Sequence, residues 1–102
     1  MTYFDKLRAA SVARDSLLCI GLDPEPAVVA GGLDGAVDFC RTLVERTSDL
    51  ACCYKPNAAF WEQYGPTGWE GLATVRRGVP RSTAVRICSS STFASRMRAA
   101  LP

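Results

Sequence analysis

Histidine is absent from this chain, no two of its cysteines form a C-x-x-C pair, and no apolar run is long enough for a membrane span. The first two absences remove the usual zinc-site patterns. A transmembrane helix needs roughly 18 or more consecutive apolar residues, and a secretory signal needs a basic start followed by an apolar core. Neither is visible, so the expected compartment is the cytoplasm. The five cysteines, Cys19, Cys40, Cys52, Cys53 and Cys88, are an odd count. They read as reduced, mostly buried thiols, with Cys19, Cys52 and Cys53 acting as small hydrophobes inside predicted strands.

Two further absences divide the chain. Lysine does not occur after Lys55 and acid does not occur after Glu70. Residues 1–75 hold six Lys and Arg against ten Asp and Glu, whereas residues 76–102 hold six Arg against no acid. Over the same boundary the apolar periodicity fades into Ser, Arg, Ala and Pro. A globular segment, 1–78, is thus joined to an Arg/Ser-rich tail, 79–102. The 102 residues suffice for one modest domain, with an apolar fraction of 48% typical of a globular chain.

What is present alternates between helical and strand-like segments. Phe4, Leu7 and Val12, with alanines between them, predict a helix over 3–13. A strand is predicted from Leu17 to Leu22, followed by a loop through Gly32 with two prolines and two adjacent glycines. Asp34 is the expected cap of a second helix striped by Val37, Cys40, Leu43, Val44 and Thr47. The second strand ends at Lys55, completing a strand-helix-strand unit whose crossover should be right-handed and whose strands should be parallel. Phe60, Trp61 and Tyr64 mark a short aromatic helix. Pro66 to Arg77 is expected to be another, with proline in its first turn and Trp69, Leu72, Ala73 and Val75 as its packing face. A third strand is due a few residues later. Val85-Arg86-Ile87-Cys88 is too brief and too polar for a core strand, so none is expected there.

Both predicted strands run from apolar residues into a charge followed by proline: Leu17-Leu18-Cys19-Ile20-Gly21-Leu22-Asp23-Pro24 and Leu50-Ala51-Cys52-Cys53-Tyr54-Lys55-Pro56-Asn57. If the strands are adjacent and parallel, Asp23 and Lys55 share the rim where strand carboxyl ends meet. In a barrel of alternating strands and helices, that rim carries the chemistry. Such a barrel needs roughly 250 residues. The fold class expected is therefore α/β, the opening units of a (β/α)8 barrel, truncated and with an irregular tail.

Phe4-Asp5-Lys6-Leu7, the Gly21-Leu22-Asp23-Pro24 strand end, Tyr54-Lys55-Pro56-Asn57-Ala58-Ala59-Phe60, Gly65-Pro66 and Gly71-Leu72 occur in this order. Together they resemble the start of orotidine 5'-phosphate decarboxylase, in the branch common in mycobacteria. The resemblance implies a cofactor-free, usually dimeric barrel enzyme that converts orotidine monophosphate to uridine monophosphate and carbon dioxide in pyrimidine synthesis. It implies that Asp23 accepts hydrogen bonds from a ribose hydroxyl of the substrate. Lys55 is implied as the catalytic first member of a Lys-Asp-Lys-Asp array, and Asn57 as a substrate-side residue ordering the loop after the second strand. Such an array stabilises a ring carbanion with fixed charges, and a lysine then delivers the proton.

The family's D-x-K-x-x-D motif, which supplies that proton-donating lysine, does not occur in this chain. The chain as written is therefore expected to be inactive alone. Reading from the third base of the Ile87 codon permits an apolar run ending in aspartate, with a second aspartate five positions on. That recovers the motif's spacing, with Arg or Cys where the family has lysine. The tail accordingly reads as an out-of-frame continuation, against a natural divergent terminus as the rival. Two other functions compete with the decarboxylase reading. One is a small non-catalytic module whose tail arginines bind nucleic acid or another polyanion. The other is a different phosphate-substrate barrel enzyme, since fold alone does not fix chemistry.

Overall fold

The computed structural model describes residues 2–88. Helix α1 (Tyr3–Arg14) opens on a capping box: Thr2 Oγ1 accepts from Asp5 N–H at 3.1 Å, and Asp5 Oδ2 accepts from Thr2 N–H at 3.1 Å. It ends where Asp15 turns into the left-handed region, with φ 48°. Strand β1 (Cys19–Gly21) follows, then α2 (Gly32–Thr47), β2 (Cys53–Lys55), α3 (Ala58–Glu62) and α4 (Pro66–Arg77). The expected α2 cap is displaced. Gly31, left-handed at φ 95°, holds the cap position without a side-chain bond, and Asp34 lies in the first turn, where its charge still complements the helix dipole.

A third strand, β3 (Ala84–Val85), is present where none was expected. The three strands form one parallel sheet in the order β1-β2-β3. Polarity of the side chains misled the sequence reading because the ladder is made by backbone. Ala84 N–H donates to Cys52 O, Arg86 N–H to Tyr54 O and Cys88 N–H to Pro56 O, at 3.1, 3.1 and 2.8 Å. The sheet therefore extends beyond residue 78. The rest of the tail, 89–102, lies outside the described residues, as does the Ser89–Met97 stretch of the shifted-frame argument.

Period-two alternation sends the sheet's two faces to different surroundings. Tyr54, Ile20 and Val85 point to the helices, where Leu22, Cys40, Val44, Ala51, Trp61, Leu72, Val75 and Val79 complete the main core. Trp61 and Tyr54 are its largest fully buried side chains, and each polar end is satisfied. The indole Nε1–H of Trp61 donates to Leu22 O at 3.0 Å, and the Tyr54 hydroxyl lies 2.7 Å from Thr47 Oγ1. Helix α4 reaches this core through small residues more than through its aromatic. Gly71 abuts Leu33, Val37 and Trp61, whereas Trp69 is 45% exposed and Ala73 is also exposed, contrary to the expected packing face.

Among the described residues, the opposite face is covered only by α1. Ala10, with Tyr3 and Leu7 beside it, closes over Cys52, Cys53 and Ala84 in a second, smaller cluster. Arg14 ties the end of α1 to the strand entrances, its Nε–H donating to Ser48 O at 3.0 Å and Nη2 to Ser82 Oγ at 2.9 Å.

Candidate active site

The site residues sit just past the carboxyl ends of β1 and β2. Gly21 is the register partner of Lys55 in the β1–β2 ladder, which puts the two strand ends level. At each end an exposed charged residue precedes a fully buried proline: Asp23 before Pro24, and Lys55 before Pro56. The proline ring fixes its own φ and biases the residue before it toward extended geometry. Burying the ring thus anchors the chain while leaving the preceding charge at the surface.

Asp23 is further held by a backbone donor from the neighbouring loop. Its Oδ1 accepts from Asn57 N–H at 2.8 Å. Asn57 uses its own side-chain oxygen differently, accepting from Ala59 N–H at 3.1 Å as the cap of α3. The same residue forms a parallel bridge with Cys88, so the rim is stitched across all three strands. Asn57 thus has its amide oxygen engaged in the cap of α3. Gly21 completes the arrangement. A Cβ there would stand 2.9 Å from Asp23 Oδ2, closer than real contacts allow. The close approach of Gly21 to the aspartate carboxylate, and the anchoring role of the prolines, went unrecognised in the sequence, though the G-x-D-P spacing carried the signal.

Asp23, Lys55 and Asn57 are therefore brought to one rim. A carboxylate fixed by one backbone donor keeps its second oxygen for a hydroxyl-bearing ligand, and an exposed ammonium one strand away can face developing negative charge. Among the described residues no cluster of three or more His, Cys, Asp or Glu could hold a metal ion. Nor is any described helix long and apolar enough to cross a membrane.

Two thiols near the rim are pushed away from the thiolate form. Burial pushes Cys40 up to about 12, with the Asp23 carboxylate adding to the effect. Burial, then the neighbouring Cys53, raises Cys19 to about 11. Both stay protonated near neutrality. Cys40, Cys52 and Cys53 are buried as expected, but Cys19 is exposed, because β1 is an edge strand whose face α1 covers only in part.

A parallel sheet with its crossover helices on one face and charged residues at the strand carboxyl ends defines a segment of a (β/α)8 barrel. No family model matches the chain. Among curated relatives it is 43% identical over 76 residues to orotidine 5'-phosphate decarboxylase of Roseiflexus castenholzii, covering 71% of this chain and 28% of that protein. It is 49% identical over 65 residues to the enzyme of the same name from Paracidovorax citrulli, covering 60% and 24%. Among solved structures, OMP decarboxylase of Leishmania donovani superposes with a TM-score of 0.74 at 38% identity, covering 98% of this chain and 40% of that one. UMP synthase of the same organism gives a TM-score of 0.74 at 44% identity, covering 85% and 18%. Over most of its length the chain is similar to part of these orotidine 5'-phosphate decarboxylases, and it spans less than a third of the length of the curated relatives.

Proposed function

We propose that this chain supplies the opening strands of an orotidine 5'-phosphate decarboxylase barrel, a carbon-carbon lyase of the cytoplasm. In this reading Asp23 receives a ribose hydroxyl of orotidine monophosphate and Lys55 begins the charged array at the reacting carbon. Asn57 supports both by holding the loop and the carboxylate. The observation that carries the proposal is the shared rim, where the Asn57 N–H to Asp23 bond joins the two strand ends that bear the charges.

Decarboxylation leaves an electron pair on the pyrimidine ring, and preorganised cations in a water-excluded site stabilise it by several kcal/mol. Lys55 contributes one such cation. The proton donor and the array's carboxylates come from a D-x-K-x-x-D strand end that this sequence does not contain. The chain alone is therefore inactive, and the sequence from Ile87 onward, past β3, reads as an out-of-frame continuation. Pairing into a homodimer belongs to the complete barrel. The rival polyanion-binding function for the tail draws only on its six arginines.

The test mixes or fuses the chain with a polypeptide bearing the remaining barrel units of a relative and follows uridine monophosphate formation. Activity is expected only in the combination, abolished by Lys55→Ala and weakened mainly in KM by Asp23→Ala. Turnover by the chain alone, or full activity in the Lys55→Ala combination, would refute the assignment.

A further inference from the structure

At the opposite end of the sheet, before β3 begins, lies a cleft of about 560 Å³. This is within the range of small-molecule sites, roughly 300 to 1,000 Å³. Its lining includes four cations, Lys6 from α1, Arg76 and Arg77 from the last turn of α4, and Arg81 from the turn that follows, and it includes no aspartate or glutamate. The nearest acid on α1, Asp5, is engaged with Thr2 in the capping box. Four like charges around one hollow raise a positive potential that favours an anion.

A second, independent observation sits in the same place. Thr83 also lines the cleft, is 1% exposed, and its Oγ1 is the buried side-chain polar atom without a hydrogen-bond partner among the described residues. Its backbone N–H is spent on Pro80 O at 2.9 Å, closing the turn that presents Arg81. An orphaned buried hydroxyl costs about 1–3 kcal/mol of desolvation. A partner that accepts a hydrogen bond from it removes that cost, and a phosphate oxygen is such an acceptor. Guanidinium groups match the same oxygens in forked pairs.

We propose that this cleft binds a small phosphorylated anion carrying two or more phosphate charges, held by Lys6, Arg76 and Arg81 and hydrogen-bonded by Thr83. It is separate from the rim of Asp23 and Lys55, since it precedes β3 whereas those residues follow their strands. The site does not depend on the decarboxylase assignment.

Inorganic pyrophosphate is the probe, titrated calorimetrically into the full chain at constant ionic strength, with tryptic cleavage after Arg76, Arg77 and Arg81 as a second readout. Saturable binding and protection of those cleavage points are expected. Thr83→Val should weaken binding by about tenfold without lowering the thermal midpoint, and Thr83→Ser should restore it. The Arg76→Ala, Arg81→Ala double variant should weaken binding further, by about a hundredfold. Unaltered affinity in Thr83→Val would overturn the proposal. So would a response no larger than that to chloride at matched ionic strength, or binding of a single-stranded oligonucleotide or an acidic peptide that pyrophosphate fails to compete away.

Discussion

On the helix side of the sheet, Tyr54, Leu22, Trp61, Leu72 and Val75 are each no more than 2% exposed. On the other side Cys19, Gly21 and Lys55 are exposed, and small residues, Cys52, Cys53 and Ala84, are closed off beneath α1. The first face holds the fold together by volume. Burying a large side chain there contributes about 1.5–3 kcal/mol. The second face is assembled from glycine, cysteine and alanine around two charges, so little stability depends on it and space remains for a ligand. The contrast teaches that bulk and charge are divided between alternate residues of the same short strands.

The largest test of this division is Trp61→Ala. Loss of the indole and of its bond to Leu22 O should cost about 3–5 kcal/mol, read as a collapse of the urea midpoint followed by circular dichroism. A loss below about 1 kcal/mol would mean that the helix face is not the dominant core.

Alkali should attack that face next. The folded chain holds Cys40 at about 12 against an ordinary 9.0, and burial also raises Tyr54 above its ordinary 10.0. The unfolded chain therefore loses these protons first. Stability is full below the unfolded values and falls as pH rises toward the folded ones, by up to about 1.4 kcal/mol per pH unit for each fully ionising group. Urea midpoints measured between about pH 8 and about pH 11 should decline. Cys40→Ala should flatten the decline, and an unchanged slope in that variant would assign the alkaline loss elsewhere.

Smaller effects sharpen the comparison. Tyr54→Phe removes a hydroxyl shared with Thr47 Oγ1 and Val44 O, while Thr47 keeps Leu43 O as an acceptor. A cost of about 1 kcal/mol in the same urea assay is expected. Lys55→Ala, on the open face, should alter stability by less than about 0.5 kcal/mol. A markedly larger loss would make Lys55 a structural residue and dissolve the distinction between the faces.

Much of this arrangement was legible in the sequence where periodicity and punctuation agree. The Pro66 helix start, the stripe Val37, Cys40, Val44 and the charge-proline strand ends each announce themselves locally. That Asp23 and Lys55 share one rim was legible because a parallel pairing of two adjacent strands suffices to bring them level. β3 was not legible, because Ala84–Val85 relies on ladder bonds from partners about thirty residues away and not on its own side chains. The cap of α2 was misread for a related reason: a left-handed glycine can begin a helix without any side-chain acceptor. Neither the exposure of Trp69 nor the isolation of Thr83 Oγ1 follows from local pattern, since both depend on which neighbours the fold supplies.

Gly21 carries a consequence for how this rim can change over evolutionary time. Strand positions ordinarily tolerate exchange among β-branched and small residues, yet here the smallest addition, one methyl group, would crowd Asp23 Oδ2 at 2.9 Å. The carboxylate would have to shift to admit it, at the expense of the bond it accepts from Asn57 N–H. A substitution at Gly21 would accordingly register first in where the Asp23 carboxylate sits.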